Sequence, residues 1–463
     1  LRSFAPAASA RCARRATAMT PERPEAGSRP LGILAGSGKL PLAIAAAARA
    51  SGRPVHIVGI DGFACDDIAR FSHERVNLGQ VGRMIGSFHR AGCTDMVIAG
   101  AMRRPNLWKL KIDSGFFRSI GTVLKLTRGG DDSVLRRVVR FFELQGFRVC
   151  GVHDVAPGLL AEAGVLGTVQ PTLEQRDAIG RGTALVRALG AFDVGQGTVV
   201  APSGVIAVEG VRGTDAMLED AAEHARASGG VRDGVLVKLP KPDQEMRVDL
   251  PVIGPATIEA AARAGLAGVA IGAGQSLVLD REETIRLADA AGLFVIGLMK
   301  PDIPDQRQSD AAAGDGVGYT LAGRLAPTPA DRADVALGRR LMQVLERHDA
   351  GTAAVVAGEH VLAVNGALPV TAMLRGIGAG SHWGRRVFRK RIGVLVVRGP
   401  DLIIDTTRKV GDDDDPVDFA WIAEAGLAGI VCTGGAIPAD LKIPVGAQAN
   451  AMKLFLMVPG GAA

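Results

Sequence analysis

Two stretches of this chain carry the same sequence pattern. Pro171-Thr172 and Arg176 recur as Pro327-Thr328 and Arg332, and Val199-Val-Ala201 recurs as Val355-Val-Ala357. Val205-Ile-Ala-Val208 returns as Val361-Leu-Ala-Val364, and Ala216-Met-Leu218 as Ala372-Met-Leu374, all at one offset of 156 residues (171 to 327). After small insertions, Gly234-Val-Leu-Val237 returns as Gly393-Val-Leu-Val396, and Ala264-Gly-Leu-Ala-Gly268 as Ala425-Gly-Leu-Ala-Gly429. A series kept in this order means that one supersecondary unit is present twice. Each copy reads as helix, strand, helix, strand, helix, strand, closing on the apolar runs Leu293–Leu298 and Leu454–Val458. The expected fold class is therefore α/β: a Rossmann-like N-terminal domain, a second α/β domain, and a diverged duplicate of that second domain.

The copies also act as controls for each other. Shared positions are mostly Val, Ala, Leu and Gly, which a common core and its turns require. Positions kept only in the first copy are polar: Gln196 becomes Thr352, Glu209 becomes Asn365 and Asp215 becomes Thr371. The segment Lys241-Pro-Asp-Gln244-Glu245-Met-Arg247-Val-Asp249-Leu-Pro251 has no counterpart, its place being taken by residues ending in Gly411-Asp-Asp-Asp-Asp-Pro416. It lies between an expected strand (Gly234–Leu239) and an expected helix (Thr257–Ala264), and ligands of open α/β sheets gather at such loops. Asp249 stands just ahead of Pro251–Pro255, where the amides of a helix start can face a phosphate. The first copy is thus expected to hold the chemistry and the second to be released from it; drift of exposed residues is the alternative.

Ahead of the repeat, residues 30–165 read as a separate unit. A strand at Leu31–Ala35 runs into Gly36-Ser37-Gly38-Lys39-Leu-Pro41, followed by a helix over 42–51, a strand at Pro54–Ile60, a helix near 80–91 and a strand at Asp95–Ala99. Strand, Gly-x-Gly, helix offers backbone N–H groups to a diphosphate, and Asp61 falls where a ribose-binding acid stands in a dinucleotide fold. Pro41 in place of the third glycine counts against nicotinamide, and a plain tight turn is the competing reading. Residues 103–128 hold seven basic side chains against the single acid Asp113, interleaved with Trp108, Phe116 and Phe117. Such a stretch suits a membrane interface or an acyl-chain cleft, or else an ordinary surface helix. Gly129-Gly-Asp131-Asp132 then opens a helix expected over Val134–Leu144, where the two acids can cap it or hold Mg²⁺.

Composition narrows the function further. A chain of 463 residues allows two or three domains. No apolar run is long enough to span a bilayer. The net charge of +6 favours an anionic partner without choosing one, and no recognised motif points to nucleic acid. Five scattered cysteines without a CxxC pair argue against a disulfide framework or a zinc site and for a reducing cytoplasm. Residues 1–29 are rich in Ala, Arg, Ser and Pro; they read as an extension before Met19, or as a transit-like segment.

A family resemblance follows from these residues. Leu31-Gly-Ile-Leu-Ala-Gly-Ser-Gly-Lys-Leu-Pro41, Gly130-Asp-Asp132, Asp193-Val-Gly-Gln-Gly197, Glu209-Gly-Val-Arg-Gly-Thr-Asp215 and Lys241-Pro-Asp-Gln-Glu-Met-Arg-Val-Asp-Leu-Pro-Val-Ile-Gly254 together resemble the LpxI family. These are UDP-2,3-diacylglucosamine pyrophosphatases of lipid A synthesis. The resemblance covers about residues 30–299. It implies a Mg²⁺-dependent hydrolase that splits its lipid-linked nucleotide sugar into UMP and 2,3-diacylglucosamine 1-phosphate by attack of water on the α-phosphorus. It further implies a substrate between two domains and a cytoplasmic protein peripherally associated with the inner-membrane surface, and it leaves a homodimer open.

The family's essential aspartate corresponds to Asp249. Pyrophosphate hydrolysis needs phosphate charge neutralised and a water oriented, so Asp249, Glu245, Arg247 and Lys241 are the expected catalytic residues. Gly36, Ser37, Gly38, Gln196, Thr214 and Gln244 are the expected substrate contacts, and Asp249, Asp215, Asp131 and Asp132 the expected metal ligands. The remaining segments are a catalytic domain over 166–299, a linker over 300–326 and the degenerate repeat over 327–463. A nucleotide-binding oxidoreductase and a non-catalytic lipid or nucleotide carrier are the competing functions.

Overall fold

The computed structural model describes residues 29–102, 113, 131–227, 229, 233–242, 244–299, 319–379, 391, 393–398, 419–434 and 439–459. The basic aromatic stretch 103–128 (save Asp113), the 411–416 acidic run and most of 300–326 lie outside these residues, as do the side chains of Asp131 and Asp132.

The first unit is a parallel sheet of five strands: β1 (Leu31–Ala35), β2 (Val55–Ile60), β3 (Ser72–Val76), β4 (Asp95–Ala99) and β5 (Arg148–Val149), in the order β3-β2-β1-β4-β5. The central β1 is buried along its whole length. Leu31 and Ile33 face one core and Leu34 the other, as the two-residue period of a strand demands. The helix Leu40–Ala50 covers the first face through Ile44, Ala45 and Ala48; Val81–Arg90 covers the second through Met84 and Phe88. A Cβ on Gly32 would stand 2.8 Å from Phe88 Cδ1, so glycine lets that helix sit close. The expected alternation holds, with β4 at its expected residues. Edge strand β3 escapes sequence reading because Ser-His-Glu-Arg-Val is mostly polar and open to solvent. The helix expected from Val134 begins at Asp131, so Asp131 and Asp132 are its first residues.

The second unit is a mixed six-stranded sheet of β6 (Gly164–Val165), β7 (Gly197–Ala201), β8 (Gly204–Val208), β9 (Val235–Lys238), β11 (Gly268–Gly272) and β13 (Phe294–Leu298), in the order β6-β13-β11-β9-β7-β8. A small parallel pair, β10 (Val252–Ile253) with β12 (Leu277–Val278), stands beside it. The expected single strand between the helices Leu173–Gly190 and Gly213–Ala227 is a hairpin, β7–β8, turned at Pro202-Ser-Gly204 with Gly204 at φ +147°. Gly164–Val165, read from sequence as the end of the first unit, pairs with β13 of the second sheet.

A third sheet comprises β14 (Tyr319–Leu321), β15 (Ala353–Ala357), β16 (His360–Val364), β17 (Val394–Arg398), β18 (Gly429–Thr433) and β19 (Phe455–Pro459). Its order, β14-β19-β18-β17-β15-β16, repeats that of the second sheet strand for strand. Even the register break matches: Val199/Val200 in β7 and Val355/Val356 in β15. Gly268 lies against Phe294, and Gly429 against Phe455, a Cβ on either glycine falling 2.5 Å from the ring.

The first two units are sewn together by the loop that ends at β10. Leu250 and Leu277 are buried in the core that surrounds β1, with Met246 and Val252 packed against it. Leu160 also bridges Leu277. The segment 246–252 thus belongs in sequence to the second unit and in packing to the first.

Candidate active site

Strand direction brings the candidate residues to one edge. β8 and β9 both run antiparallel to β7, so the loops that leave β8 and β9 meet the residues that enter β7. The first supplies Glu209–Asp215, the second Lys241–Asp249, and the third Asp193–Gln196. This is the strand-end position where α/β sheets bind ligands.

Six residues form one continuous polar chain there. Lys238 Nζ donates to Thr214 Oγ1 at 2.8 Å, and Thr214 Oγ1 donates to Glu209 Oε1 at 2.7 Å. Glu209 Oε2 accepts the Gln196 amide at 2.8 Å. Gln196 Oε1 accepts from Gln244 Nε2 at 3.2 Å, and the same nitrogen donates to Asp249 Oδ2 at 2.5 Å and to Asp249 O at 2.9 Å. Gln244 Oε1 accepts the Lys241 amide at 2.7 Å. Glu209, Lys238 and Gln244 are all buried. A buried network of this kind is rigid because each polar group would cost about 1–3 kcal/mol if left without a partner. Its product is a fixed Asp249 carboxylate at the end of a chain that starts on a cation.

The other candidates fall in different places. Lys241 Nζ reaches Asp193 Oδ1 at 2.5 Å, and Asp193 holds a left-handed backbone (φ +54°) that its counterpart Asp349 shares (φ +47°). Glu245 and Arg247 form a two-pronged ion pair at 2.8 and 2.9 Å, and Arg247 also binds Glu143 of the first unit at 2.8 Å. The guanidinium holds the Glu245 carboxyl below its ordinary range, and the two acids raise Arg247. Both stand among the catalytic residues expected from sequence, and here they engage each other and Glu143, opposite charges two residues apart meeting across one turn.

Asp215 is exposed in the first turn of the helix Gly213–Ala227, next in sequence to Thr214 of the hydrogen-bonded chain. Gly36 and Ser37 do not offer the expected pair of amides. Gly36 N donates to Ala99 O at 2.8 Å and Ser37 N to Ala101 O at 2.9 Å, because the 99–101 loop crosses them at carbonyl distance. Ser37 Oγ also turns to Ala101 O at 2.7 Å. Gly38 stands in the left-handed region (φ +93°) with open space around its Cα. Lys39 beside it reaches Asp280 of the second unit at 3.1 Å.

Lys238 was not legible as a site residue, yet the repeat contained the signal. Val-Leu-Val-Lys238 pairs in register with β7 as Val-Leu-Val-Val397 does with β15, so a buried lysine in one copy is a valine in the other. Glu209 also gains definition. Its counterpart Asn365 keeps the structural half of the job, accepting the amides of Thr352 and Ala353 at 2.9 Å each, and loses the charge.

Comparison with known proteins fits this geometry. The family models of the LpxI N-terminal domain and the LpxI C-terminal domain match residues 30–159 and 162–296. A curated relative from Caulobacter vibrioides, named UDP-2,3-diacylglucosamine pyrophosphatase LpxI, is 40% identical over 279 residues, covering 60% of this chain and 100% of the relative. The chain belongs to the LpxI family. Both LpxI domains lie in the first two units, so the third sheet is additional to the length of that LpxI relative. Asp249 and its polar chain lie within the LpxI C-terminal domain, and the Glu143–Arg247 contact joins the two LpxI domains.

Proposed function

We propose that this chain hydrolyses the pyrophosphate of UDP-2,3-diacylglucosamine to UMP and 2,3-diacylglucosamine 1-phosphate, a step of lipid A synthesis. The observation that carries this reading is the 40% identity to a pyrophosphatase of that name across its entire length. The buried chain from Lys238 to Asp249 supports it, because phosphoryl transfer asks the protein mainly to position groups and to neutralise charge.

In this reading Asp249 orients the attacking water at the α-phosphorus. The water's oxygen bonds to that phosphorus, the bridging oxygen leaves with the sugar 1-phosphate, and the water's proton is lost to Asp249 or solvent. Gln244 fixes the carboxylate rotamer and Gln196 fixes Gln244. Lys241, drawn from Asp193 by the incoming diphosphate, screens its charge, and Thr214 sits beside it on the loop held by Glu209. Among the described residues no three His, Cys, Asp or Glu side chains converge on a metal position. That donor set fits Mg²⁺ only in its usual sparse mode, with one or two carboxylates, substrate phosphate oxygens and retained waters. Asp249 is the described carboxylate suited to hold it, and the ion would supply charge neutralisation on the diphosphate. The basic aromatic stretch 103–128 is assigned to the acyl chains at the membrane surface; no helix among the described residues is long and apolar enough to cross a membrane.

The direct test is turnover in ¹⁸O-water with Mg²⁺ or with a chelator. Label is expected in UMP, with activity abolished by the chelator. Label in the sugar phosphate would refute attack at the α-phosphorus, and no release of UMP would refute the function.

A further inference from the structure

The third sheet does not hang beside the second; it meets it reciprocally. Val211 N donates to Leu362 O at 3.1 Å, and Ala367 N donates to Ile206 O at 2.9 Å. Val211 and Ala367 are counterparts at the offset of 156, and so are Ile206 and Leu362. The two hydrogen bonds are therefore one contact made twice. The glycines agree: a Cβ on Gly210 would stand 2.7 Å from Leu362 O, and one on its counterpart Gly366 would stand 2.6 Å from Ile206 O. One apolar cluster spans the junction with the same pairing, Leu185, Leu189 and Val208 from one copy and Leu341, Leu345 and Val364 from the other. Residue i touching j while j's counterpart touches i's is the mark of an isologous, twofold interface.

We propose that the segment 327–459 occupies the place of a second catalytic unit. The face formed by β8 and the helix Leu173–Gly190 is a self-association surface, and its natural partner is another copy of the same unit. The contact also reaches the site. Val211 lies in the connection from β8 to the helix Gly213–Ala227, so the Leu362 carbonyl and the close seat of Gly210 anchor the turn between Glu209 and Thr214. The second copy thereby acts as a positioning element for the first, whatever reaction the first performs.

The test uses the full chain with a protease site inserted within residues 300–318. After cleavage of the folded protein, the two fragments are expected to remain together as one particle near 47.9 kDa. Ala367→Pro removes the N–H donated to Ile206 and should free the first fragment, which is then expected to dimerise through its vacated face. A freed first fragment that stays monomeric by light scattering up to 100-fold above its working concentration would overturn the proposal. If that fragment aggregates, the intact chain gives the second reading. Gly366→Val drives a side chain into the Ile206 carbonyl. Hydrogen exchange at the Val211 amide should then rise by on the order of tenfold while core amides such as Ile33 hold. Unchanged protection of Val211 would equally overturn it.

Discussion

Asp249 has two neighbours that decide its geometry, Gln244 by direct hydrogen bonds and Gln196 at one remove. Replacing Asp249 by Ala is expected to lower kcat by about 10²–10⁴ with little loss of fold, since a positioned base or ligand contributes that much; a steady-state UMP assay measures it. Gln244→Leu removes the clamp and keeps the volume, so a smaller loss is expected, on the order of tenfold to a hundredfold. Lys238 makes the sharper case. Lys238→Met removes the donor to Thr214 Oγ1 and the cation one hydrogen bond away from buried Glu209, which should cost about 1–3 kcal/mol of stability. Lys238→Met with Glu209→Gln should recover much of that stability in denaturant titration but not the turnover. Of these residues, Gln196 and the segment holding Gln244 and Asp249 stood out in the sequence because the duplicate does not keep them, and Thr214 entered with the family resemblance. Lys238 was hidden at the end of an apolar strand, where a lysine reads as a boundary. The engagement of Arg247 with Glu143 joins residues 104 positions apart, and spacing alone cannot reveal it.

At the scale of elements, hydrophobic period and glycine placement carried most of the architecture. β1, β4 and the three helices around them follow from apolar spacing, whereas β3 failed because an edge strand need not be apolar. The hairpin β7–β8 was present as two apolar runs about a Pro-Ser-Gly turn, yet merged into one strand because both runs are short. The paired Gly268–Phe294 and Gly429–Phe455 contacts give a matched test. Gly→Ala at either site should destabilise its own sheet by about 1–3 kcal/mol through overpacking, read as two separate shifts in denaturant unfolding.

β3 carries another testable group. Glu74 is drawn down to about 2 from an ordinary value of 4.5, first by the Ser87 hydroxyl and then by Arg83 and Arg90. A depressed carboxylate contributes stability above its unfolded pKa and loses it as pH falls through the folded one. Wild type should therefore exceed Glu74→Gln by about 1 kcal/mol above pH 5, since the two arginines are half exposed and screened. The gap should close between about pH 4.5 and 2.

Across the whole molecule, the segment 246–252 links chemistry to domain arrangement. Leu250 fills the core of the first unit one residue after Asp249, so the position of that carboxylate depends on the packing of the other domain. Leu250→Ala should cost about 2–5 kcal/mol and raise KM, because the cavity loosens the seam where the substrate is proposed to lie. The three-unit organisation was legible from the repeat; the reciprocal contact between the copies was not, since it depends on the faces that two folded sheets present. That contact has a kinetic consequence. A homodimer comes apart on dilution, whereas here both halves of the twofold are tethered in one chain. A tether keeps its partner at an effective concentration on the order of millimolar. The turn between Glu209 and Thr214 is then clasped at any protein level, and specific activity should stay constant on serial dilution where an untethered pair would lose it.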